Sequence, residues 1–275
     1  MKKPISSSAE SSLFDGMRKM RKNKISRLLI LEGDNISRIV TEKDIGFFLF
    51  KDTSERKLDE VSLREISKSA ISVDDSTGVK DCAKTILEKA IGSLAISSNN
   101  KIVGIITKTD LVRYFAENCG GKKVVGEYMS PYYSWIYADA PLSKVISKML
   151  EEKISRIILR DRNESPVGIL SFGDLLRSAI TLGEETTVLD STDPAISVIF
   201  PKKGFLSESG YGGSTAANEI MKNEIITVNY DDDLAKTCKV LLENEINGVG
   251  VLSGHGTLIG ILSKTDIVKA VAFLN

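Results

Sequence analysis

The chain places a hydroxyl and a carboxylate in the same short pattern at four positions. An apolar segment ends in Thr or Ser, and an Asp follows three residues later: Thr41 and Asp44, Thr107 and Asp110, Ser171 and Asp174, Ser263 and Asp266. Such a Thr or Ser is a typical helix N-cap, and a carboxylate in the first helical turn complements the helix dipole. The same groups suit a ligand with hydroxyls and phosphates, because a carboxylate accepts hydrogen bonds and helix N–H groups attract anions. Capping alone would explain one copy, and the four copies put a hydroxyl and a carboxylate at the same place in each unit.

The elements around each signature recur at nearly fixed distances. In every copy an apolar residue that opens a helix lies 12 positions before an apolar strand start, and the Asp follows that start by 19 or 20 positions. The chain is therefore one repeat used four times. Successive signature Asp residues are 66, 64 and 92 positions apart, so the last junction carries an insertion of about 27 residues. We expect repeats at residues 1–50, 62–121, 122–182 and 216–275, with an inserted linker at residues 183–215.

Each repeat is predicted to have an α/β fold. The first helix shows apolar residues at helical spacing, such as Leu13, Met17 and Met20. Two short strands follow, such as Leu94–Ser97 and Ile102–Thr107, and a second helix begins at the signature. Because a repeat of about 60 residues buries too little surface to be stable alone, we expect two pairs with shared cores, at about residues 1–121 and 122–275.

The composition indicates a soluble protein, and we expect it to be cytoplasmic. No apolar run reaches the roughly 18 residues of a membrane span, and the N-terminal residues lack the apolar core of a signal peptide. Lys and Arg together number 37, as do Asp and Glu, which argues against a general nucleic-acid binder. Cys82, Cys119 and Cys238 show no disulfide pattern, and two of them lie on the apolar faces of predicted helices.

Two segments lie outside the repeats. The charged segment Lys51–Val61 is predicted to be a solvated connector. The segment Gly183–Thr215 holds a Gly/Ser-rich stretch that lacks both the Lys and the preceding strand of a phosphate-binding loop. A flexible loop is the main interpretation of this segment, and a lid or a partner-docking tether is the alternative.

The residues do not indicate catalysis. The one histidine, His255, lies in a predicted turn, far from any Cys or Ser with the sequence context of a nucleophile. The sequence shows neither a metal-ligand cluster nor a Walker motif. We therefore expect no enzymatic activity, no metal and no catalytic cofactor.

The strand, the pattern Gly-apolar-apolar-Thr/Ser-x-x-Asp and the following helix resemble the cystathionine-β-synthase (CBS) domain, over nearly the whole chain. Paired CBS repeats form Bateman modules, and two modules in one chain resemble the disc-like layout of the γ subunit of AMP-activated protein kinase. The resemblance implies that AMP, ADP or ATP binds in clefts between paired repeats, and that the chain regulates a partner protein without catalysis. It also implies either a monomeric disc or a homodimer of discs.

The resemblance further implies that the signature Asp binds ribose, while the strand start of the partner repeat holds phosphate. Arg stands at that strand start only in repeats one and three, as Arg27 and Arg156, whereas repeats two and four carry a hydroxyl directly before the Asp. Crossed pairing would therefore create two stronger sites, although a surface salt bridge is the alternative role of each Arg. The residues assigned to the stronger sites are Ile5, Ser26, Arg27, Thr107, Lys108, Thr109 and Asp110, and Ser134, Ser155, Arg156, Ser263, Lys264, Thr265 and Asp266.

The two complementary sites lack the Arg, and we expect them to be weak or empty. In the third repeat Phe172-Gly173 also replaces Lys-Thr beside Asp174. Near the expected adenine position of that repeat, Trp135 would either stack on a base or fill the core. The residues assigned to the weaker sites are Thr41, Asp44, Ile71, Val73, Gly92 and Ser93, and Ser171, Asp174, Ile226, Val228 and Asn247.

Two other functions remain open on the sequence. The chain would be a protein–protein adaptor if its four sites were vestigial, or a sensor of another adenosyl ligand such as S-adenosylmethionine. Sensing of a metal ion has less support, because no cluster of carboxylates is visible in the sequence. The response of the protein to nucleotides distinguishes the first two.

Overall fold

The structure is a computed structural model that describes residues 4–33, 35–52, 54, 56–99, 101–175, 206, 208 and 210–274, with residue 211 described by its backbone alone. Each repeat has the same order of elements within these ranges: a short strand, a helix, two antiparallel strands, and a second helix that begins at the signature. The α/β organisation predicted from the four signatures is confirmed.

The four repeats have closely matched element bounds. The first consists of β1 (Ser6–Ser8), α1 (Leu13–Lys22), β2 (Arg27–Glu32), β3 (Asn35–Thr41) and α2 (Glu42–Lys51). The second, preceded by α3 (Leu63–Ile66) and β4 (Lys68–Ser69), consists of β5 (Ser72–Asp74), α4 (Val79–Glu88), β6 (Ser93–Ser98), β7 (Lys101–Thr107) and α5 (Lys108–Asn118). The third, preceded by a 3₁₀ helix (Val125–Glu127), consists of β8 (Trp135–Tyr137), α6 (Leu142–Glu151), β9 (Arg156–Arg160), β10 (Pro166–Ser171) and helical residues 172–175. The fourth, preceded by α7 (Tyr211–Ser214) and a 3₁₀ helix (Ala217–Glu219), consists of β11 (Thr227–Asn229), α8 (Leu234–Glu243), β12 (Gly248–Leu252), β13 (Leu258–Ser263) and α9 (Lys264–Ala272).

One strand topology places the signature in every repeat. The first strand is parallel to the second, and the second is antiparallel to the third. The third strand ends at the signature hydroxyl residue, which pairs with the first residue of the second strand; Thr41, for example, pairs with Arg27. The hydroxyl therefore lies where the sheet ends and the second helix begins.

The first helix of each repeat buries the apolar face that the sequence predicts. Leu13, Met17 and Met20 of α1 are 5% exposed or less. The equivalent residues Met149 in α6 and Leu241 in α8 are fully buried. Burial of this face provides most of the free energy that stabilises the helix, because isolated helices of ten residues are only marginally stable in water.

The repeats form two compact units, but not the predicted contiguous halves. The even unit (Met1–Pro4, Ala70–Tyr133 and Ile225–Asn275) contains repeats two and four, and the odd unit (Ile5–Ser69 and Ser134–Glu224) contains repeats one and three. Each unit has its own apolar core: α4, α5, α8 and α9 pack together in the even unit, and α1, α2 and α6 contribute to the core of the odd unit. The expectation that residues 1–121 and 122–275 form the two shared cores is therefore wrong, because the apolar helix faces pack on alternate repeats.

The segment Lys51–Val61 is not the solvated connector that its charge indicates. Leu58 is 4% exposed and Val61 is 1% exposed, and both belong to the core of the odd unit. The carbonyl of Val61 also accepts a hydrogen bond from the backbone N–H of Leu13 at 2.7 Å. Two apolar residues spaced among charges are sufficient to anchor this segment on α1.

Much of the predicted linker 183–215 lies outside the described residues. In its described part Leu206 is 1% exposed, and Tyr211–Ser214 form the short helix α7. Thr215 is buried, and its carbonyl accepts a hydrogen bond from the N–H of Leu142 at 3.0 Å. The Gly-Gly-Ser-Thr stretch is thus a helix end that packs on the third repeat.

The three cysteines, Cys82, Cys119 and Cys238, are free thiols and all are buried. Cys82 and Cys238 lie on the core faces of α4 and α8, as predicted. None of the helices in the described part of the chain has both the length and the apolar character that a membrane crossing requires.

Candidate functional site

One oxygen of each signature carboxylate caps its own helix. At all four signatures Oδ2 of the Asp accepts hydrogen bonds from the backbone N–H and the hydroxyl of the Thr or Ser three residues earlier. At Asp110, for example, the bonds from Thr107 measure 2.9 Å for the N–H and 2.6 Å for the hydroxyl. The capping role expected from the sequence is therefore real, and it uses only one of the two carboxylate oxygens.

The other oxygen, Oδ1, is directed at a cation in every repeat. The distances are 2.5 Å from Asp44 to Lys68 Nζ, 3.2 Å from Asp110 to Arg113 Nη1, 4.0 Å from Asp174 to Lys222 Nζ, and 2.8 Å from Asp266 to Lys269 Nζ. In the even unit the cation is on the same helix, three residues after the Asp. In the odd unit it comes from the segment that leads into the next repeat. None of these four cations was predicted from the sequence.

The even unit joins its two signatures through reciprocal hydrogen bonds. Lys108 Nζ donates to Thr265 Oγ1 at 2.8 Å, and Lys264 Nζ donates to Thr109 Oγ1 at 2.9 Å. Lys264 is only 8% exposed. Two ammonium groups thus lie near the N-termini of α5 and α9, where the helix dipoles are also positive. Positive charge at helix N-termini favours an anion.

The odd unit has no equivalent lysine pair at its signatures. Its third repeat carries Phe172 and Gly173 at these positions, and Phe172 is buried in the core. A Cβ added to Gly46 of α2 would lie 2.6 Å from the Phe172 ring, so the two helix starts are in close apolar contact. The first repeat has Glu42 and Lys43 instead.

The odd unit nonetheless has positive charge around Asp44. The pKa of the Lys43 ammonium is lowered, first by burial and then by the charge of Lys68. The charge of Asp44 raises this pKa in part, and the charge of Lys153 lowers it further. Lys43 Nζ also donates to the backbone carbonyl of Lys153 at 3.4 Å. Asp44 therefore has cationic neighbours from the protein itself.

The predicted strand-start residues lie beside the signature of their own repeat. The carbonyls of Ser26, Gly92, Ser155 and Asn247 accept hydrogen bonds from the first N–H of the signature helix in the same repeat, at 3.1, 3.2, 3.4 and 3.0 Å. Arg27 begins β2 and donates to Ser26 Oγ at 3.2 Å, and Arg156 begins β9. Ser93 begins β6 and is 7% exposed.

The crossed pairs of the sequence analysis join residues of different units. Arg27 and Arg156 belong to the odd unit, whereas Asp110 and Asp266 belong to the even unit. The assignment of each Arg to a phosphate therefore stays a prediction.

The residues expected near adenine occupy equivalent backbone positions. The carbonyls of Ile5, Ile71, Ser134 and Ile226 each accept a hydrogen bond from the second strand of their repeat, at 3.3, 2.9, 3.1 and 2.9 Å. Val73 and Val228 lie in the first strands β5 and β11. The hydroxyl of Ser134 is engaged with Glu152, whose pKa is lowered by Lys148 first and by this hydroxyl second.

Trp135 is neither exposed nor in the buried core. The Arg160 guanidinium lies over its ring at 4.7 Å, and Tyr137 contacts it edge-on at a centroid distance of 5.3 Å. Tyr137 in turn lies beneath the Arg162 guanidinium at 4.6 Å. The core-packing interpretation of Trp135 is therefore incomplete, because cation–π contacts hold this ring.

The fold and the four signatures define the class of the protein: the chain belongs to the CBS domain family. The family matches residues 1–49, 63–117, 125–181 and 217–273. This coverage and the mixed α/β fold are consistent with paired Bateman modules.

The chain is similar along most of its length to archaeal proteins. Protein MJ1225 of Methanocaldococcus jannaschii, which is uncharacterized, is 22% identical over 265 residues, which span 91% of this chain and 89% of that protein. The crystal structure of MJ1225, described as a candidate archaeal homologue of g-AMPK, superposes with a TM-score of 0.79 at 19% identity and covers 98% of this chain and 96% of that one. An uncharacterized Pyrococcus horikoshii protein gives a TM-score of 0.62 at 18% identity, with the same coverages. At these identities the structural similarity establishes the fold.

Within the described ranges, no group of three or more His, Cys, Asp or Glu side chains is arranged to hold a metal ion.

Proposed function

We propose that the chain is a regulatory protein that binds adenine nucleotides at its signature carboxylates, without catalysis. The observation that carries the proposal is the division of each carboxylate between two tasks. Oδ2 is fixed by the helix cap, while Oδ1 contacts a side-chain cation. A carboxylate held rigidly by its own helix is a preorganised acceptor for a ribose hydroxyl.

The energies favour replacement of the cation by a hydroxyl at Asp110. Arg113 and Asp110 are 45% and 39% exposed, and such a surface pair contributes about 0.2–1 kcal/mol. Lys269 is 48% exposed but Asp266 is only 5% exposed, so a ligand at Asp266 must replace the bond from Lys269 with one of its own. A hydrogen bond from a ligand hydroxyl to a carboxylate contributes about 1.5–3 kcal/mol. Arg113 sits on a flexible side chain that turns back into water at little cost, so a ribose hydroxyl can displace it from Asp110.

The lysine pair of the even unit accounts for the phosphate. Lys108 and Lys264 are held by Thr265 and Thr109, at the N-termini of two helices. Charge-assisted bonds from these ammonium groups to a phosphate would offset the cost of holding two cations together. This combination supports an adenosyl ligand with phosphate more than S-adenosylmethionine, whose sulfonium would add another positive charge.

We infer that the sites built on Asp110 and Asp266 are the stronger ones. The odd unit has Phe172 in place of a lysine. Lys68 and Lys222, which lie in the segments that precede repeats two and four, face Asp44 and Asp174 respectively. This ranking agrees with the one expected from the sequence, on different evidence.

A regulatory role rather than catalysis suits signatures whose Thr or Ser hydroxyl is engaged in the helix cap in every repeat. A ligand changes a partner's behaviour only if it prefers one of two states of the protein. The reciprocal lysine–threonine bonds are such a two-state element, because a phosphate that takes Lys108 releases Thr265 of the other signature.

Calorimetric titration with adenosine, AMP, ADP, ATP and S-adenosylmethionine tests the proposal. We expect the phosphorylated ligands to bind more tightly than adenosine, with two tighter equivalents. A protein–protein adaptor with vestigial sites would give no heat of binding and no shift in melting temperature with any of them. If only S-adenosylmethionine binds, the protein is a sensor of that ligand and not of adenine nucleotides. Conversion of ATP on prolonged incubation would contradict the non-enzymatic role.

A further inference from the structure

Three lead-in segments meet the signature strands at the same register. Each segment precedes the first strand of a repeat, and each places one residue opposite the residue five positions before a signature Asp. Lys68 pairs with Ile39, Lys222 with Ile169, and Ser130 with Ile261. Lys222 and Ile169 exchange both backbone hydrogen bonds, as do Ser130 and Ile261, at 2.9–3.0 Å.

Among the described residues, the side chain at this register position differs between the two signatures of the odd unit and the Asp266 signature of the even unit. In the odd unit it is a lysine whose ammonium is directed at Oδ1 of the signature Asp, at 2.5 Å for Lys68 and at 4.0 Å for Lys222. In the even unit it is Ser130, and Asp266 receives its cation from Lys269 of its own helix. The chain thus contains both versions of one position, each within a single unit.

We propose that Lys68 and Lys222 are tethered competitors of the ligand, which lower the nucleotide occupancy of the odd unit, and that Ser130 leaves the Asp266 site open. The proposal rests on the proposed function, and adds to it the residues that decide which signatures are occupied. An ammonium and a ribose hydroxyl donate to the same oxygen, so one excludes or weakens the other. The lysine competes effectively with a free ligand because its backbone is already held beside the Asp, where the lead-in segment pairs with the signature strand.

The contacts around Asp44 fit a competitor rather than a ligand-binding residue. The Asp44 side chain is 11% exposed and its Oδ1 lies 2.5 Å from Lys68 Nζ, while the Lys68 side chain is 73% exposed. Lys43 lies close enough for the charge of Lys68 to lower its pKa, so the neighbourhood already has excess positive charge. The Lys222 contact is longer, and its effect should be the smaller of the two.

An exchange of the residues at this position tests the proposal. In an Asp110→Ala/Asp266→Ala background, which isolates the odd unit, Lys68→Ser should tighten AMP binding about two- to fivefold. In an Asp44→Ala/Asp174→Ala background, Ser130→Lys should weaken AMP binding to the even unit by a similar factor. The gain in Lys68→Ser should vanish when Asp44→Ala is added, because the two residues act on one oxygen.

Matched variants separate competition from unrelated changes of charge. Lys57→Ser removes an exposed lysine of the odd unit, and Ser165→Lys adds one between β9 and β10; neither should change AMP affinity. The gain in AMP affinity from Lys68→Ser should also be smaller at 0.5 M NaCl, because salt screens the exposed ammonium of Lys68 in the parent protein.

The outcomes distinguish this inference from the function on which it rests. If the parent binds AMP but the exchanges at 68 and 130 leave the affinities unchanged, or if Lys68→Ser weakens binding, the competitor role is wrong and the function stands. If neither the parent nor any exchange variant binds an adenine nucleotide, both are wrong. Binding to the odd unit that is detectable only after Lys68→Ser would be the strongest support.

Discussion

The two oxygens of one carboxylate have different partners at each signature, and a substitution can separate them. In Asp110→Asn the remaining carbonyl oxygen can still accept the bonds from Thr107, so the helix cap is kept. The amide nitrogen then replaces the outward oxygen and can only donate, so the ribose loses its acceptor and Arg113 loses its partner. We expect nucleotide affinity at this site to fall about ten- to a hundredfold, which corresponds to about 1.5–3 kcal/mol.

Titration calorimetry measures this loss, and thermal unfolding should show a melting temperature within a few degrees of the parent. Asp44→Asn is the matched control, with the same cap and a site expected to be weak. Equal losses of bound nucleotide in the two variants would show that the ranking of the units is wrong.

The thiol of Cys238 makes stability depend on alkaline pH. Burial raises the pKa of Cys238 to about 12 from an ordinary value of 9.0, with smaller contributions from Asp233 and Cys119. Between pH 9 and 12 the folded protein keeps a proton that the unfolded chain has released, so the free energy of unfolding falls as pH rises in that window. The slope contributed by one group is at most about 1.4 kcal/mol per pH unit.

Urea unfolding at pH 8, 10 and 11 tests this dependence by comparing the parent with Cys238→Ala. The substitution lowers stability at pH 8 by opening a cavity, and it removes the alkaline loss, so the difference between the two proteins should shrink as pH rises. A difference that stays constant over the three values would mean that Cys238 titrates normally in the folded state.

Among the elements, the contact between α2 and the third repeat leaves no room for added volume at Gly46. A Cβ at Gly46 would lie 2.6 Å from Phe172 Cδ1 and 3.0 Å from its Cε1, and the ring is 3% exposed. Gly46→Val should therefore lower the free energy of unfolding by about 1–3 kcal/mol, the range for overpacking a core.

Denaturant unfolding measures the loss. Gly120→Val is the control, since a Cβ at Gly120 meets no atom within 4 Å, and its effect should stay within about 0.5 kcal/mol. A Gly46→Val protein as stable as the parent would show that the helix start moves away from Phe172 without cost.

Elements that depend on local pattern could be predicted from the sequence. The apolar face of α1 and the helix start at Thr107 follow from spacing and capping chemistry within a few residues. The burial of Leu58 could not be predicted, because a single apolar residue among charges gives no periodicity. The contact of Lys68 with Asp44 also escaped prediction, because it joins segments 24 positions apart through a strand pairing that the sequence does not specify.

On the scale of the whole molecule, the pairing of repeats was the part that the sequence could not decide. All four repeats present similar apolar helix faces, so any two could share a core, and neighbours in the chain were the simplest choice. The structure instead pairs alternate repeats, with separate cores for the odd and the even unit. Register and helix spacing are properties of one repeat, whereas this choice depends on the shapes of two packed surfaces.

The alternate pairing predicts how the chain responds to division at its midpoint. A fragment of residues 1–121 holds one repeat from each unit, so it has half of each core and exposes the apolar faces of α2, α4 and α5 to water. We expect this fragment to self-associate and to unfold with low cooperativity in urea, whereas the whole chain unfolds sharply. Addition of residues 122–275 should restore a one-to-one complex with the far-ultraviolet circular dichroism of the intact protein. Sedimentation velocity and urea titration measure both properties; a monomeric fragment with a sharp transition would show that consecutive repeats form a stable core after all.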